Sequence, residues 1–122
     1  MEKKNISSQA VDYILTRKNE ELRNLDAENV AKGIGSNRSY LTQNFNVDQK
    51  ISLTDFILRE KIYRAVFILE KNHNISIKEL SNNLGFREVK DFVREFRSII
   101  AIEPDKYRNL RKAATNKQRN VF

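Results

Sequence analysis

A unit of about fifty residues occurs twice in this 122-residue chain, and nothing else in the sequence restricts the fold as much. Val30, Ala31, Ile34 and Gly35 recur fifty positions later as Leu80, Ser81, Leu84 and Gly85. Leu41, Phe45, Ile51 and Phe56 recur fifty-one positions later as Phe92, Phe96, Ile102 and Tyr107. The change of offset falls between Gly35 and Leu41, in a turn where one added residue is tolerated. Each copy therefore reads as a short helix, a tight Gly turn, a second helix ending in Phe, and an apolar anchor leading into a further helix. That unit is a helix-turn-helix, present twice.

Between the copies lies Ser52–Lys71, which contains neither Gly nor Pro. Ser52 is placed to cap it, with Asp55 in its first turn. Phe56, Ile57, Ala65, Phe67, Ile68 and Leu69 form an apolar stripe, which Leu58, Ile62 and Val66 widen. Twenty residues at about 1.5 Å each span roughly 30 Å, close to the ~34 Å pitch of B-DNA. Leu58, Val66 and Phe67 are apolar where a linking helix should be polar. They either pack on the first helix or a subdomain, or form a docking surface.

The rest of the chain also reads as helix, because three Gly, one Pro and no sustained β-branched alternation leave no place for strands. Ser7 or Ser8 opens a helix reaching Asn24, with Ala10, Val11, Ile14, Leu15 and Leu22 inward. Asp26 caps a helix over 27–33, in which Gly33 is a mild cost, and Gly35 makes its terminal turn. Asn37 caps a third, with Tyr40, Leu41 and Phe45 facing in. Ser76 caps a fifth, closed by Gly85. A sixth carries Val89, Phe92, Val93 and Phe96 at i, i+3, i+4 and i+7. Pro104 starts a seventh, and from Thr115 onward the lack of period points to disorder. The expectation is an all-α chain of about seven helices. Its parts are a first subdomain over 1–51, a linker helix over 52–71, a second subdomain over 72–112 and a basic, disordered tail over 113–122.

Charge and composition narrow the function. The net charge is +7. Residues 1–25 carry five basic and four acidic side chains, residues 26–103 twelve and eleven, and residues 104–122 six and one. The excess thus sits at the C-terminus, and a basic tail alone is as compatible with solvation as with nucleic acid. There is no Cys, so no disulfide or thiolate metal site, which fits a reducing compartment. No apolar run approaches 18 residues and the N-terminus lacks a signal region, so a soluble, cytoplasmic protein with no membrane contact is expected. His73, the single His, lies in a polar loop with no Cys and no carboxylate cluster, which suits a surface residue better than a metal ligand. No phosphate-binding Gly loop, nucleophile elbow or pair of acids at catalytic spacing occurs. The expectation is no enzyme, no cofactor, no metal and no catalytic residue.

The second copy, LGFREVKDFVREFRSIIAIEPDKYRNLR, resembles the C-terminal signature of the AraC/XylS family of bacterial transcription regulators. The resemblance rests on Gly85-Phe86, Phe92, Arg94 with Phe96, and Pro104, Tyr107 and Arg108 at ungapped spacing. In the first copy it rests on Val30-Ala31, Ser39-Tyr40-Leu41, Phe45, Ile51-Ser52 and Arg64-Ala65. It covers about residues 10 to 111. Asp91 stands where the family often has Tyr or a neutral polar residue, and Ala101 replaces a usual Gly. The resemblance implies two helix-turn-helix subdomains on a long helix, each sending a recognition helix into a successive major-groove segment of double-stranded DNA. It also implies contact with RNA polymerase, a nucleoid-associated place in a bacterial cytoplasm and, where the chain is a fragment, an N-terminal sensing or dimerisation domain. Stand-alone members exist as well.

On the first recognition helix the outward residues are Arg38, Ser39, Thr42, Gln43 and Asn46. Gln43 suits bidentate pairing with adenine, and Arg38 a guanine or a phosphate; an ordinary solvated face is the alternative. On the second, Arg87, Lys90, Arg94 and Arg97 face out, with Arg94 the best placed for a base. Its alternative is a salt bridge to Asp91 at i−3, with Lys90, Glu95 and Arg97 in other helix-surface pairs. The resemblance puts Val89 at a base-contacting position, whereas its period places it in the buried stripe. Ser36, Asn37 and Ser76 stand at helix N-termini, where phosphates bind or side chains cap. Arg108, Arg111 and Lys112 are positioned for phosphate. A sequence-specific DNA-binding transcription regulator is the reading. A protein-interaction module that keeps the fold is the alternative, favoured by Glu88, Asp91 and the near-neutral middle.

Overall fold

The computed structural model describes residues 5–119, the side chains of 116–119 excepted. Among the described residues the chain is all α-helical, without strands. It divides into two compact units, Met1–Lys61 and Ile62–Phe122. The division falls inside the helix over Leu53–Lys71, whose residues contribute to both cores.

The first unit contains α1 (Ile6–Leu15), α2 (Asn19–Leu22), α3 (Ala27–Gly33), α4 (Arg38–Gln49) and the first part of α5 (Leu53–Lys71). Its core is built from Ala10 and Ile14 of α1, Leu22, Val30, Leu41 and Phe45, closed by Leu53 and Ile57 of α5. Ser7 is fully buried and donates to Asp48 Oδ2 at 2.7 Å, tying the start of α1 to the end of α4. Asn5, rather than Ser7 or Ser8, caps α1 by accepting from the Ser8 amide at 2.8 Å. Tyr13 lies over Gly33, where an added Cβ would come within 2.3 Å of the ring, so Gly33 is the residue that admits the ring. Arg17 stacks on the same ring at 4.1 Å.

The second unit contains the rest of α5, then α6 (Ile77–Asn83), α7 (Val89–Ile100) and α8 (Pro104–Arg119). Ile62, Ala65, Leu69, Leu80, Leu84, Phe92 and Phe96 form its core, with Phe86, Ile99, Ile100 and Tyr107 packed around them.

The repeat is reproduced in detail. Asp26 and Ser76, fifty positions apart, cap α3 and α6 by accepting from the amides of Asn29 at 2.8 Å and Glu79 at 3.0 Å. Gly35 and Gly85 follow with φ of 73° and 86°, the left-handed turn that glycine adopts without strain. The next amides return to the helix, Ser36 to the Ala31 carbonyl at 2.8 Å and Phe86 to the Ser81 carbonyl at 3.1 Å. Phe45 meets Phe56 edge-on at 5.4 Å, and Phe96 meets Tyr107 edge-on at 6.0 Å. Ser52 caps α5 as expected, accepting from the Asp55 amide at 3.0 Å.

Five expectations are revised. There are eight helices among the described residues, because the first expected helix breaks at Thr16–Lys18. Thr16 Oγ1 donates to the Asp12 carbonyl at 2.8 Å and Arg17 Nε to that of Tyr13 at 3.0 Å, while Glu21 Oε1 accepts from the Lys18 amide at 3.0 Å to start α2. The helix from Pro104 continues to Arg119, through the good helix formers Ala113, Ala114, Lys117 and Gln118; Asn120–Phe122 lie outside the described residues. Tyr40 is 55% exposed, because Leu41 and Phe45 alone take the inward positions of α4. Phe67, at 60%, lies off the Ile62–Ala65–Leu69 face that α5 buries. Leu15, at the end of α1, is likewise half exposed.

Both long helices of the repeats end in a left-handed residue that is not glycine, Lys50 at φ 57° and Ala101 at φ 79°. A Cβ in this region costs roughly 1–2 kcal/mol, partly offset by the lower unfolded-state entropy of a non-glycine residue. Ala101→Gly is therefore expected to stabilise the protein by about 1 kcal/mol in urea unfolding. Ser81 is fully buried and its hydroxyl has no hydrogen-bond partner among the described residues, whereas the matching residue of the first copy is Ala31. Ser81→Ala should add about 1 kcal/mol in the same assay, since an unsatisfied buried hydroxyl is lost without leaving a cavity of note.

Candidate nucleic-acid interface

In each unit the second helix of the helix-turn-helix is amphipathic, and its inward side fixes which residues look out. Leu41 and Phe45 are completely buried on α4. Their burial leaves Arg38, Ser39, Gln43 and Asn46 exposed and Thr42 half-buried. Arg38, Thr42, Gln43 and Asn46 form one wall of a shallow groove, completed by Ser52, Leu53 and Thr54 at the start of α5. Among the described residues no carboxylate lines it. Arg38 makes no ion pair among the described residues, so its guanidinium is available. Thr42 Oγ1 donates to the Ser39 carbonyl at 3.2 Å. Thr54 is a wall residue that the sequence reading missed. The repeat placed Ser52 at the start of α5 but gave no signal that this turn faces α4.

The N-termini of α4 and α6 are capped by side chains. Asn37 accepts from the Tyr40 amide at 2.8 Å, Ser76 from that of Glu79, and Ser36 Oγ donates to the Asn37 carbonyl at 3.5 Å. Asn37 and Ser76 thus serve as caps.

On α7, Phe92 and Phe96 are fully buried, while Val89 and Val93 are half-buried. Lys90, Val93, Arg94 and Arg97 line a shallow depression, and Arg87 is exposed just before the helix. The electrostatics differ from those of α4. Lys90 Nζ lies 3.2 Å from Glu88 Oε2, Arg94 Nη2 3.3 Å from Asp91 Oδ1 and Arg94 Nε 3.9 Å from Glu95 Oε1. Arg97 Nη1 lies 4.0 Å from Glu103 Oε1. The pairing weighed for Arg94 is thus present in the structure. These side chains are mostly exposed, and exposed pairs contribute about 0–1 kcal/mol.

Two cations expected at phosphates make contacts within the second unit. Arg108, only 19% exposed, donates to the Ile75 carbonyl and to the Asp105 carboxylate. Arg111 Nε lies 3.7 Å from Glu70 Oε1, which also accepts from the Tyr107 hydroxyl at 2.6 Å. Burial first, and then the Glu70 hydrogen bond, raise the Tyr107 pKa. The Arg108–Ile75, Arg111–Glu70 and Tyr107–Glu70 contacts join residues more than thirty positions apart, and no local pattern announces them, whereas Asp105 and Arg108 are an i,i+3 pair on one helix. Lys112 is exposed. In the first unit Lys61 lies in a cleft with Leu25, Asp26, Ala27, Thr54, Ile57 and Leu58 and donates to the Arg23 carbonyl at 3.3 Å. Burial lowers its pKa, and Asp26 opposes the shift.

His73 is half-buried, and no group of three metal-ligating side chains occurs among the described residues. No described helix is long and apolar enough to cross a membrane.

No family model matches the chain. It is 32% identical over 84 residues to the Msm operon regulatory protein of Streptococcus mutans, a match covering 69% of this chain and 30% of that protein. The chain thus spans less than a third of that relative's length. Among solved structures it resembles an AraC-type DNA-binding domain-containing regulator from Chromobacterium violaceum, at TM-score 0.74 and 22% identity, covering 87% of this chain and 91% of the other. It also resembles the DNA-binding domain of the global transcriptional factor AdpA in complex with a target DNA, at TM-score 0.74 and 20% identity, covering 91% and 96%.

Because Arg108 is bound within the fold, Arg108→Ala is expected to destabilise the protein by about 1–3 kcal/mol, the range for hydrogen bonds to a charged group. Thermal unfolding monitored by circular dichroism measures it. An unchanged melting temperature with weakened DNA binding would return Arg108 to the phosphates.

Proposed function

We infer that this chain, whose fold is that of the AraC-type DNA-binding domains, is a sequence-specific reader of double-stranded DNA within a transcription regulator. Its two units act as two reading heads, with α4 and α7 entering successive major-groove segments. The carrying observation is the outward face of α4, where Arg38, Thr42, Gln43 and Asn46 line a carboxylate-free groove opposite a fully buried face. Gln43 supplies an amide that pairs bidentately with adenine N6 and N7, and Arg38 a fork for guanine or a phosphate. On α7, Arg94 is the base-reading candidate, with Arg87, Val89, Lys90 and Arg97 around it. The exposed pairs on this helix are weak enough for DNA phosphates to displace. The Msm operon regulator and the DNA-bound AdpA domain support this reading by kinship and by fold. RNA polymerase and an N-terminal sensing or dimerisation domain are the further partners proposed, in a bacterial cytoplasm.

A second reading has its own observation. Tyr63 and Phe67 are 50% and 60% exposed one turn apart on α5, and Lys71 Nζ sits 5.3 Å from the Phe67 ring. An interaction module would use that face and leave DNA unread.

Selection from a random duplex pool separates the two. Two enriched half-motifs about one helical turn apart, bound ~10³-fold over a scrambled duplex, are expected of two reading heads. Sequence-blind binding that vanishes with salt favours the interaction module. Gln43→Ala and Arg94→Ala should each weaken binding to the selected site by about 1–3 kcal/mol with melting temperatures unchanged. Unaltered affinity in both variants sinks the reading.

A further inference from the structure

The carboxylates on α7 are not merely a tax on DNA binding: we propose that Asp91 is a specificity-determining positioning residue, holding the Arg94 guanidinium for a guanine and penalising engagement of other sequences. The proposal rests on the reading of α7 as a recognition helix and adds the device that makes it selective. Asp91 lies one turn before Arg94, with its Oδ1 3.3 Å from Arg94 Nη2. Glu95, the next residue along, places its Oε1 3.9 Å from Arg94 Nε. The Arg94 side chain is 68% exposed, whereas those of Asp91 and Glu95 are 36% and 30% exposed. The carboxylates therefore sit lower on the helix than the cation they flank, and the guanidinium is the group presented outward.

A guanidinium has five N–H donors in a planar fork. Asp91 faces one amino group and Glu95 approaches the Nε edge, which leaves Nη1 and the outer N–H of Nη2 without a partner among the described residues. Two donors on one edge match guanine O6 and N7. An untethered Arg loses rotamer freedom when ordered by a contact. Held by Asp91, Arg94 has given up part of that freedom before DNA arrives, so the loss is smaller at the matching base. At a wrong base the fork stays with Asp91, and the carboxylate repels the phosphates that would otherwise support sequence-blind docking. Lys90 with Glu88 and Arg97 with Glu103 form further exposed pairs on the same surface. Nothing comparable exists on α4, whose Arg38 has no carboxylate partner among the described residues.

The test is a double-mutant cycle of Asp91→Asn and Arg94→Ala in the full chain. Affinities are measured on the selected duplex, its single-base variants and a scrambled duplex at several salt concentrations, with melting temperature as the folding control. Asp91→Asn is expected to tighten binding to the scrambled duplex several-fold while leaving the selected duplex unchanged or weaker. The specificity ratio then falls by about tenfold, and the loss is confined to the base pair whose preference Arg94→Ala also abolishes. In the Arg94→Ala background, Asp91→Asn should shift all duplexes by one common factor. Equal tightening on every duplex in the wild-type background would overturn the proposal and make Asp91 a simple repeller. Loss of preference at a base pair that Arg94→Ala does not touch would also overturn it, making Asp91 a direct reader of cytosine N4. If Arg94→Ala alone leaves the preferences intact, the reading of α7 fails first, and the inference with it.

Discussion

One edge-on aromatic contact in each unit fixes where the second helix of the helix-turn-helix lies. Phe45 against Phe56 joins α4 to α5, and Phe96 against Tyr107 joins α7 to α8. Phe45 and Phe96 are fully buried, and truncating such a side chain to Ala costs about 3–5 kcal/mol. Single surface contacts on these helices contribute a kcal/mol or less. The orientation of each outward face is therefore set by what the inward face buries. Arg38, Gln43 and Arg94 are presented because Leu41, Phe45, Phe92 and Phe96 have nowhere else to go.

The two faces so presented differ in electrostatic character. The α4 groove is polar and free of carboxylates, while the cations of α7 are spread among Glu88, Asp91, Glu95 and Glu103. A bare cation gains affinity for any phosphate and falls off steeply with salt. A paired cation gives up part of that attraction in exchange for direction. The same architecture thus carries two outward faces of different electrostatic character, without any change in backbone.

Much of this was legible because it is local. Asp26, Asn37, Ser52 and Ser76 are caps whose side chains bond three residues ahead, and Gly35 and Gly85 mark turns that need positive φ. The Phe45–Phe56 and Phe96–Tyr107 correspondence was visible as a repeat before any contact was known. Exposure of Tyr40 and Phe67 was not, because an apolar residue beside a buried stripe reads the same whether or not a neighbour covers it. The break at Thr16–Lys18 was hidden by helix formers on both sides of a side-chain bond to the backbone. On the candidate interface, the outward residues of α4 followed from periodicity. The contacts of Arg108 with Ile75 and of Arg111 with Glu70 did not, since these become their partners only once α8 packs.

Helix α5 contributes Leu53 and Ile57 to one core and Ile62, Ala65 and Leu69 to the other. Starting a helix is its unfavourable step, and extending one is close to neutral. Here one nucleation serves two hydrophobic clusters, so whichever cluster assembles first gives the other a helix already begun. The kinetics of the two halves are consequently linked through a shared ladder of backbone hydrogen bonds. Weakening of one half is expected to surface as earlier amide exchange near Lys61 and Ile62, where the ladder passes from one cluster to the next.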